Sequence, residues 1–428
     1  MRKKIEDYER VTARFHMPGH SGARIDDGLY SIGPYDITEL DWSDNLAHPQ
    51  GDIKTLEERI ARVYGAGRAF VLTEGATAGI QVALLVAREA RGVIYLLGET
   101  HKSCISYASI IGLEVNVLDS VDEAVLRARE GACIYVTSPN YYGDIIDITP
   151  ILEARANGSI VIVDEAHGAH YVFSELLPES VAGKADFAVE SMHKTLPVFT
   201  GGALLCVNNS DYTAMAEYFK CKIHSTSPSY LIMQSIESAI DIMSERGSEM
   251  YRTVWRDVRA FKDMLDTRYR VKDTADFTRV VIECNGAEDV ALYLERHDVY
   301  IELFDEQRLV LIVTPFNSGE LTRVAELLRE YDGEDREDDI DNESIASTPT
   351  FCLERARGTR GTLAFLPLDR AVGYVSMSEI AVYPPGVPVV RTGDVLTREV
   401  LEYIGENRDR IVGLVGDTIA VRELCEEN

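Results

Sequence analysis

The 428-residue chain carries 71 acidic against 43 basic side chains, a formal net charge of −28, which argues against nucleic acid and anionic membranes as partners. At 46% hydrophobic and 27% charged, it has the balance of a globular protein with room for two or three domains around a large core. Seven cysteines, an odd number without a Cys-x-x-Cys pair, read as small buried hydrophobes of a reducing cytosol.

The charged start, Met1 to Tyr8, reads as no signal peptide, and no stretch has the length and apolarity of a membrane span. Phe15-His16-Met17-Pro18-Gly19-His20-Ser21-Gly22 reads as a loop, because Pro-Gly blocks a regular element. The same Pro-Gly spoils a helical pair of metal-binding histidines, so no metal is expected. Residues 37–52 are loop-like and carry Glu39, Asp41, Asp44 and Asp52, most of which a solvated turn explains.

Apolar residues at 53, 56, 60 and 63 predict a helix over 53–64. Ala69-Phe70-Val71-Leu72 predicts a strand, followed by Thr73-Glu74-Gly75-Ala76-Thr77-Ala78-Gly79 and a helix from about Thr77 to Arg91. A small turn of this kind points backbone N–H groups at a ligand, which suits a phosphate, though it also serves simply to pack a helix on a sheet. Strands follow at 93–97 and 133–137. The first ends in Glu99-Thr100-His101-Lys102-Ser103, the second in Ser138-Pro139-Asn140-Tyr141-Tyr142-Gly143. Such close alternation of strand and helix predicts a mostly parallel sheet covered on both faces.

Ile160-Val161-Ile162-Val163 is a β-branched run of the kind buried inside a parallel sheet, with Asp164 at its carboxyl end, where α/β sheets place their ligand crevices. Phe187-Ala188-Val189 leads in the same way to Ser191-Met192-His193-Lys194, and Gly201-Gly202 follows. An acid and a lysine at one sheet edge suggest a ring nitrogen's partner and a Schiff base to an aldehyde cofactor, the pairing that pyridoxal phosphate (PLP) requires. The plainer reading is a helix cap and a solvated strand end.

Beyond a strand at 203–207, His224 to Tyr230 form a polar turn before helices over about 231–246 and 254–265. Residues 278–331 alternate strand and helix twice. Asp332 to Glu343 holds eight acidic residues in twelve and reads as a linker. The expected units are an N-terminal arm and active-site loop (1–50), a large cofactor-binding domain (51–250), a small α/β domain (251–331), the acidic linker (332–345) and a C-terminal domain (346–428).

Nine segments in register resemble the Orn/Lys/Arg decarboxylase family. They are Phe-His-Met-Pro-Gly-His-x-Gly at 15–22, Asp-Ile-Thr-Glu-Leu at 36–40, Gly-x-Thr-x-Gly at 75–79 and His-Lys-Ser at 101–103. Pro-x-Tyr-Tyr-Gly at 139–143, Asp-Glu-Ala-His-Gly at 164–168 and Ser-x-His-Lys at 191–194 continue the series. Ser-Thr-Ser-Pro-Ser-Tyr at 225–230 and Tyr-Pro-Pro-Gly-Val-Pro at 383–388 complete it.

The resemblance implies an α/β fold: a PLP fold type I large domain with a mostly parallel sheet of the seven-stranded type, a small α/β domain and a C-terminal α+β domain. It resembles a short form lacking the N-terminal wing domain of larger bacterial members. By resemblance, Lys194 forms the Schiff base and Asp164 pairs with the ring nitrogen, while His101 stacks on one ring face with Ala166 on the other. His167 lies near the ring hydroxyl. Gly75, Ala76 and Thr77 hold the phosphate, with Ser191 and His193 adding donors. Lys194 or His193 returns the proton to Cα.

Thr226 and Ser227 resemble the segment that reaches the neighbouring subunit's phosphate, which implies a cytoplasmic homodimer with sites at the interface; a helix N-cap is their plainer role. Glu379, then Glu39 and Asp41, are candidates for the cationic tail of a substrate. The implied reaction is decarboxylation of arginine, lysine or ornithine to the amine, as in polyamine biosynthesis. An aminotransferase, a carbon–sulfur lyase or a catalytically silent scaffold are the competing readings.

Overall fold

The computed structural model describes residues 1–8, 17–18, 21, 28–156, 158–305, 307–332, 351, 353–354, 356, 359–382 and 387–424. Most of the loop at 15–22, the acidic run from 333 onward and Tyr383 to Gly386 lie outside the described residues, as do Cys352 and Cys425.

After helices α1 (Arg2–Tyr8) and α2 (Asp52–Tyr64), the chain builds a seven-stranded sheet. Its strands are β1 (Arg68–Leu72), β2 (Val93–Leu97), β3 (Glu114–Leu118), β4 (Cys133–Thr137), β5 (Ile160–Asp164), β6 (Phe187–Glu190) and β7 (Ala203–Val207). They stand in the order β1-β7-β6-β5-β4-β2-β3. The pairs among β2 to β6 are parallel, and β7 runs antiparallel to both β6 and β1. The expected mostly parallel α/β sheet is therefore present.

The helices between strands are α3 (Gly75–Ala90), α4 (Lys102–Ile110), α5 (Val121–Arg129), α6 (Thr149–Ala154), the single turn α7 (Met192–Thr195) and α8 (Ser210–Ile223). Strand alternation feeds two cores. Ile160 and Ile162 of β5 pack with Ala83 of α3 and Cys104 of α4, and Val161 and Val163 pack with Ala124 of α5 and Ile151 of α6. All five residues of β5 are buried, as the β-branched run requires.

Register fixes the functional edge. Thr137 pairs with Asp164, and Asp164 with Val189, so the carboxyl ends of β4, β5 and β6 lie side by side. The turn α7, which carries Lys194, begins two residues past the end of β6.

One 35-residue helix, α9 (Tyr230–Met264), replaces the two helices expected over 231–246 and 254–265, and the expected division at residue 250 falls inside it. Gly247 lies in the stretch between the two expected helices. A Cβ at Gly247 would stand 2.9 Å from the Cβ of Phe173, so this glycine lets the helix approach its neighbour rather than ending it.

Beyond α9, strands β8 (Arg270–Val271), β9 (Arg279–Glu283), β10 (Leu303–Phe304) and β11 (Arg308–Ile312) form an antiparallel sheet, flanked by α10 (Ala287–Arg296) and α11 (Leu321–Glu330). The C-terminal region adds two three-stranded antiparallel sheets. One joins β12 (Thr359–Pro367), β13 (Val375–Ser376) and β17 (Thr418–Leu424); the other joins β14 (Ile380–Val382), β15 (Val387–Val390) and β16 (Ile411–Val412). Helix α12 (Arg398–Glu406) packs in the core shared by both. Among the described residues no helix is long and apolar enough to cross a membrane, and Cys104, Cys133, Cys206, Cys221 and Cys284 are free thiols.

Candidate active site

A cleft of about 210 Å³ opens at the carboxyl edge of the seven-stranded sheet. The start of α3 contributes Gly75, Ala76 and Thr77, and the approach to α4 contributes Glu99, His101 and Ser103. The loop after β4 supplies Pro139 and Tyr141, the end of β5 supplies Asp164, Ala166 and His167, and the turn at α7 supplies Ser191, His193 and Lys194. Ten residues expected at one site from sequence thus line one cleft, because parallel strands deliver their carboxyl ends to the same edge.

Asp164 is 4% exposed. Its Oδ2 accepts from the Tyr135 hydroxyl at 2.9 Å and its Oδ1 from the Ala166 N–H at 3.1 Å. Burial and the neighbouring Asp164 charge push the Tyr135 phenol far up, so it remains a donor.

At α3, the Gly75 N–H donates to the Gly201 carbonyl at 2.8 Å. The donors that the helix start turns to the cleft are therefore those of Ala76 and Thr77, which have no partner within the helix. Glu74, just before the turn, contacts His224 Nε2 at 2.9 Å and accepts from the Ser225 N–H at 3.2 Å.

His101 caps α4 and lines the cleft at once. Its Nδ1 accepts from the Ser103 N–H at 3.2 Å, which leaves the proton of the neutral ring on Nε2. Burial lowers its pKa, against the pull of Asp164. His193 has the opposite arrangement, with Nδ1 3.2 Å from the Gly202 carbonyl, so that Nδ1 carries the proton. Ser191 Oγ lies 3.5 Å from the same nitrogen.

Lys194 Nζ lies 3.0 Å from His167 Nε2 and 5.8 Å from the centre of the Tyr141 ring. Burial lowers the lysine's pKa, while the Asp164 charge opposes it. His167 Nδ1 is 3.0 Å from Nη2 of Arg279, and burial, then Lys194 and Arg279, hold the His167 imidazole well below its usual range.

The remaining candidates stand outside the cleft lining. Thr226 and Ser227 are exposed on this single chain. The cap they were weighed for is supplied by Ser229, whose Oγ accepts from the Ile232 N–H at 3.3 Å. Thr226 and Ser227 therefore do not cap the helix: of the four hydroxyls in Ser225-Thr226-Ser227-Pro228-Ser229, the last sits at the N-cap. Glu379 Oε2 accepts from the Ser106 hydroxyl at 2.8 Å, and burial raises its carboxyl to about 7. Glu39 accepts from the Thr38 hydroxyl at 2.7 Å, and Asp41 is exposed.

Tyr135 and Arg279 escaped the sequence reading. Tyr135 sits mid-strand among apolar neighbours. Arg279 opens the run Val280-Val281-Ile282, and a lone charge leading a buried strand is the signal that marks it.

Residues 111–286 match the family model for Orn/Lys/Arg decarboxylase, major domain. An uncharacterised protein of Bacillus subtilis (strain 168) is 28% identical over 94% of this chain and 92% of its own length. An arginine decarboxylase of the same organism is 24% identical over 94% of this chain and 91% of its own. The crystal structure of the Francisella novicida lysine decarboxylase superposes with a TM-score of 0.79 at 16% identity, over 99% of this chain and 80% of that one.

Proposed function

From a chain that belongs to the Orn/Lys/Arg decarboxylase family and is a decarboxylase, we infer a PLP-dependent reaction on a basic amino acid, arginine, lysine or ornithine, giving the amine and carbon dioxide. The observation that carries this reading is the half-buried Lys194 amine opening into the same cleft as the Asp164 carboxylate and the start of α3.

The donor set suits the cofactor. Lys194 offers an amine to the aldehyde, Asp164 an anion to the ring nitrogen, and Ala76, Thr77 and Ser191 donors to the phosphate. His101 and Ala166 flank the space for the ring, and His167 stands beside Lys194, where the ring hydroxyl belongs. When bound, PLP supplies an electrophilic ring that takes up the electron pair left at Cα as carbon dioxide departs.

The chain's own residues do the rest. Asp164 holds a proton on the ring nitrogen by its charge, and the Tyr135 hydroxyl and Ala166 N–H fix its carboxylate in place. We assign the proton returned to Cα to Lys194 Nζ, because the His193 Nδ1–H faces the Gly202 carbonyl. The cleft adds one carboxylate to Glu379, Glu39 and Asp41 as a partner for the cationic tail. This is Glu99, which lines the cleft and which burial raises while Arg308 lowers it.

Incubation of the purified chain with PLP and single amino acids, with the products identified, tests the reading. The expected result is the amine and carbon dioxide from a basic amino acid without any keto acid. A requirement for a keto acid, or turnover confined to other amino acids, contradicts it.

A further inference from the structure

Arg279 comes from the antiparallel sheet, far from Lys194 in sequence, yet its guanidinium reaches the cleft wall. Its side chain is 1% exposed, and among the described residues Nε and Nη1 have no hydrogen-bond partner. Its Nη2 lies 3.0 Å from His167 Nδ1. The buried Asp276 carboxylate balances part of this charge from a distance, but among the described residues the one hydrogen-bond partner of the guanidinium is a ring nitrogen rather than an acid, which is costly this deep.

Donor and acceptor logic decides what the contact does. A guanidinium only donates, so His167 Nδ1 must accept through its lone pair. The neutral ring then carries its proton on Nε2, and that N–H points at Lys194 Nζ, 3.0 Å away. A hydrogen bond there needs a lone pair on Nζ, which an ammonium group lacks. The trio is satisfied in one state only: charged Arg279, His167 protonated at Nε2, and Lys194 as a free amine.

We propose that Arg279 is a positioning residue that fixes His167 in its Nε2–H form and thereby holds Lys194 as the unprotonated amine needed to attack an aldehyde. This rests on the reading of Lys194 as the cofactor lysine and supplies the reason its amine is ready. Other groups act on the same amine. Asp164 and Glu302 favour the ammonium form, Arg279 opposes it by charge, and Tyr141 faces it with its ring. Lys194, Arg279, His101 and His170 all oppose a second proton on His167.

The loop after β4 is shaped for this arginine. Gly143 has φ +82°, and a Cβ there would stand 2.8 Å from the Arg279 Cβ and 3.1 Å from its Cγ. The glycine of Pro139-x-Tyr141-Tyr142-Gly143 is thus the passage for the arginine stem, as well as a backbone conformation that other residues rarely adopt.

Two measurements on the full chain without cofactor test the proposal. In ¹⁵N spectra of the ring nitrogens, with His167 assigned by its loss in His167→Gln, Nδ1 should appear unprotonated and Nε2 protonated. The reverse pattern, or a doubly protonated ring, overturns the proposal whatever the variants do. In the second, trace acetylation is followed by mass spectrometry across pH. Lys194 should reach half-maximal labelling at least one pH unit below exposed Lys54, and Arg279→Met should raise that midpoint by about a unit. In a His167→Phe background, Arg279→Met should raise the midpoint by less than half as much, the remainder being the direct effect of its charge on Lys194. A full shift there means Arg279 acts by charge alone, and the relay is wrong. Neither readout needs PLP, so a chain with this tautomer and no affinity for PLP would sink the functional reading and leave the relay standing.

Discussion

Tyr135 binds the buried carboxylate of Asp164 from inside the sheet, so its hydroxyl serves both stability and the site. Tyr135→Phe removes that donor and leaves a buried anion less satisfied, which costs about 1–3 kcal/mol. Thermal melting of the cofactor-free chain should show the loss, and an unchanged midpoint would mean water replaces the hydroxyl. Asp164→Asn cannot hold the ring proton by charge, so it should bind PLP but turn over several orders of magnitude more slowly. A rate within about threefold of the unmodified chain, under roughly 1 kcal/mol, would assign the ring nitrogen another partner. At this scale the sequence was informative where a side chain ends a strand. Asp164 and Lys194 both follow short apolar runs, which place them at the edge. Arg279 was hidden because its partner, His167, lies 112 positions away on another sheet, and strand pairing does not declare such a contact.

Glu379 joins two elements: it lies just before β14 and accepts from Ser106 in α4. Unfolded, its carboxyl releases a proton near 4.5; folded, burial delays release to about 7. The folded chain therefore holds more protons between those values, and stability falls as pH rises through that window. Glu379→Gln removes this term. Measured against the variant, the original chain should lose melting temperature from pH 5 to pH 8, and parallel curves would show that Glu379 ionises without cost. Periodicity located most elements of the large sheet, since alternating cores need alternating side chains. It failed at α9, where Gly247 serves packing against Phe173 and does not end the helix. The helix cap expected at Thr226 and Ser227 falls at Ser229 instead, because any hydroxyl in this segment can accept an N–H and only geometry selects among them.

Across the whole molecule, Glu74 ties the start of α3 to the exposed segment around Thr226 and Ser227, through His224 and Ser225. If these two hydroxyls complete a second subunit's phosphate site, removing both should weaken PLP retention. Mixing that double variant with Lys194→Ala should then restore up to about half of the original activity per mixed dimer. The chain with an intact Lys194 would draw its hydroxyls from the partner, and no recovery despite subunit exchange would place them in cis. One attachment point, the Lys194 amine, decides what this sheet edge is for. The chain loaded with PLP, reduced with borohydride and digested, should carry the pyridoxyl mass on the peptide containing Lys194 and on no other. A label on a different lysine, or none after loading, would contradict the claim that this sheet edge is built around Lys194 and Asp164.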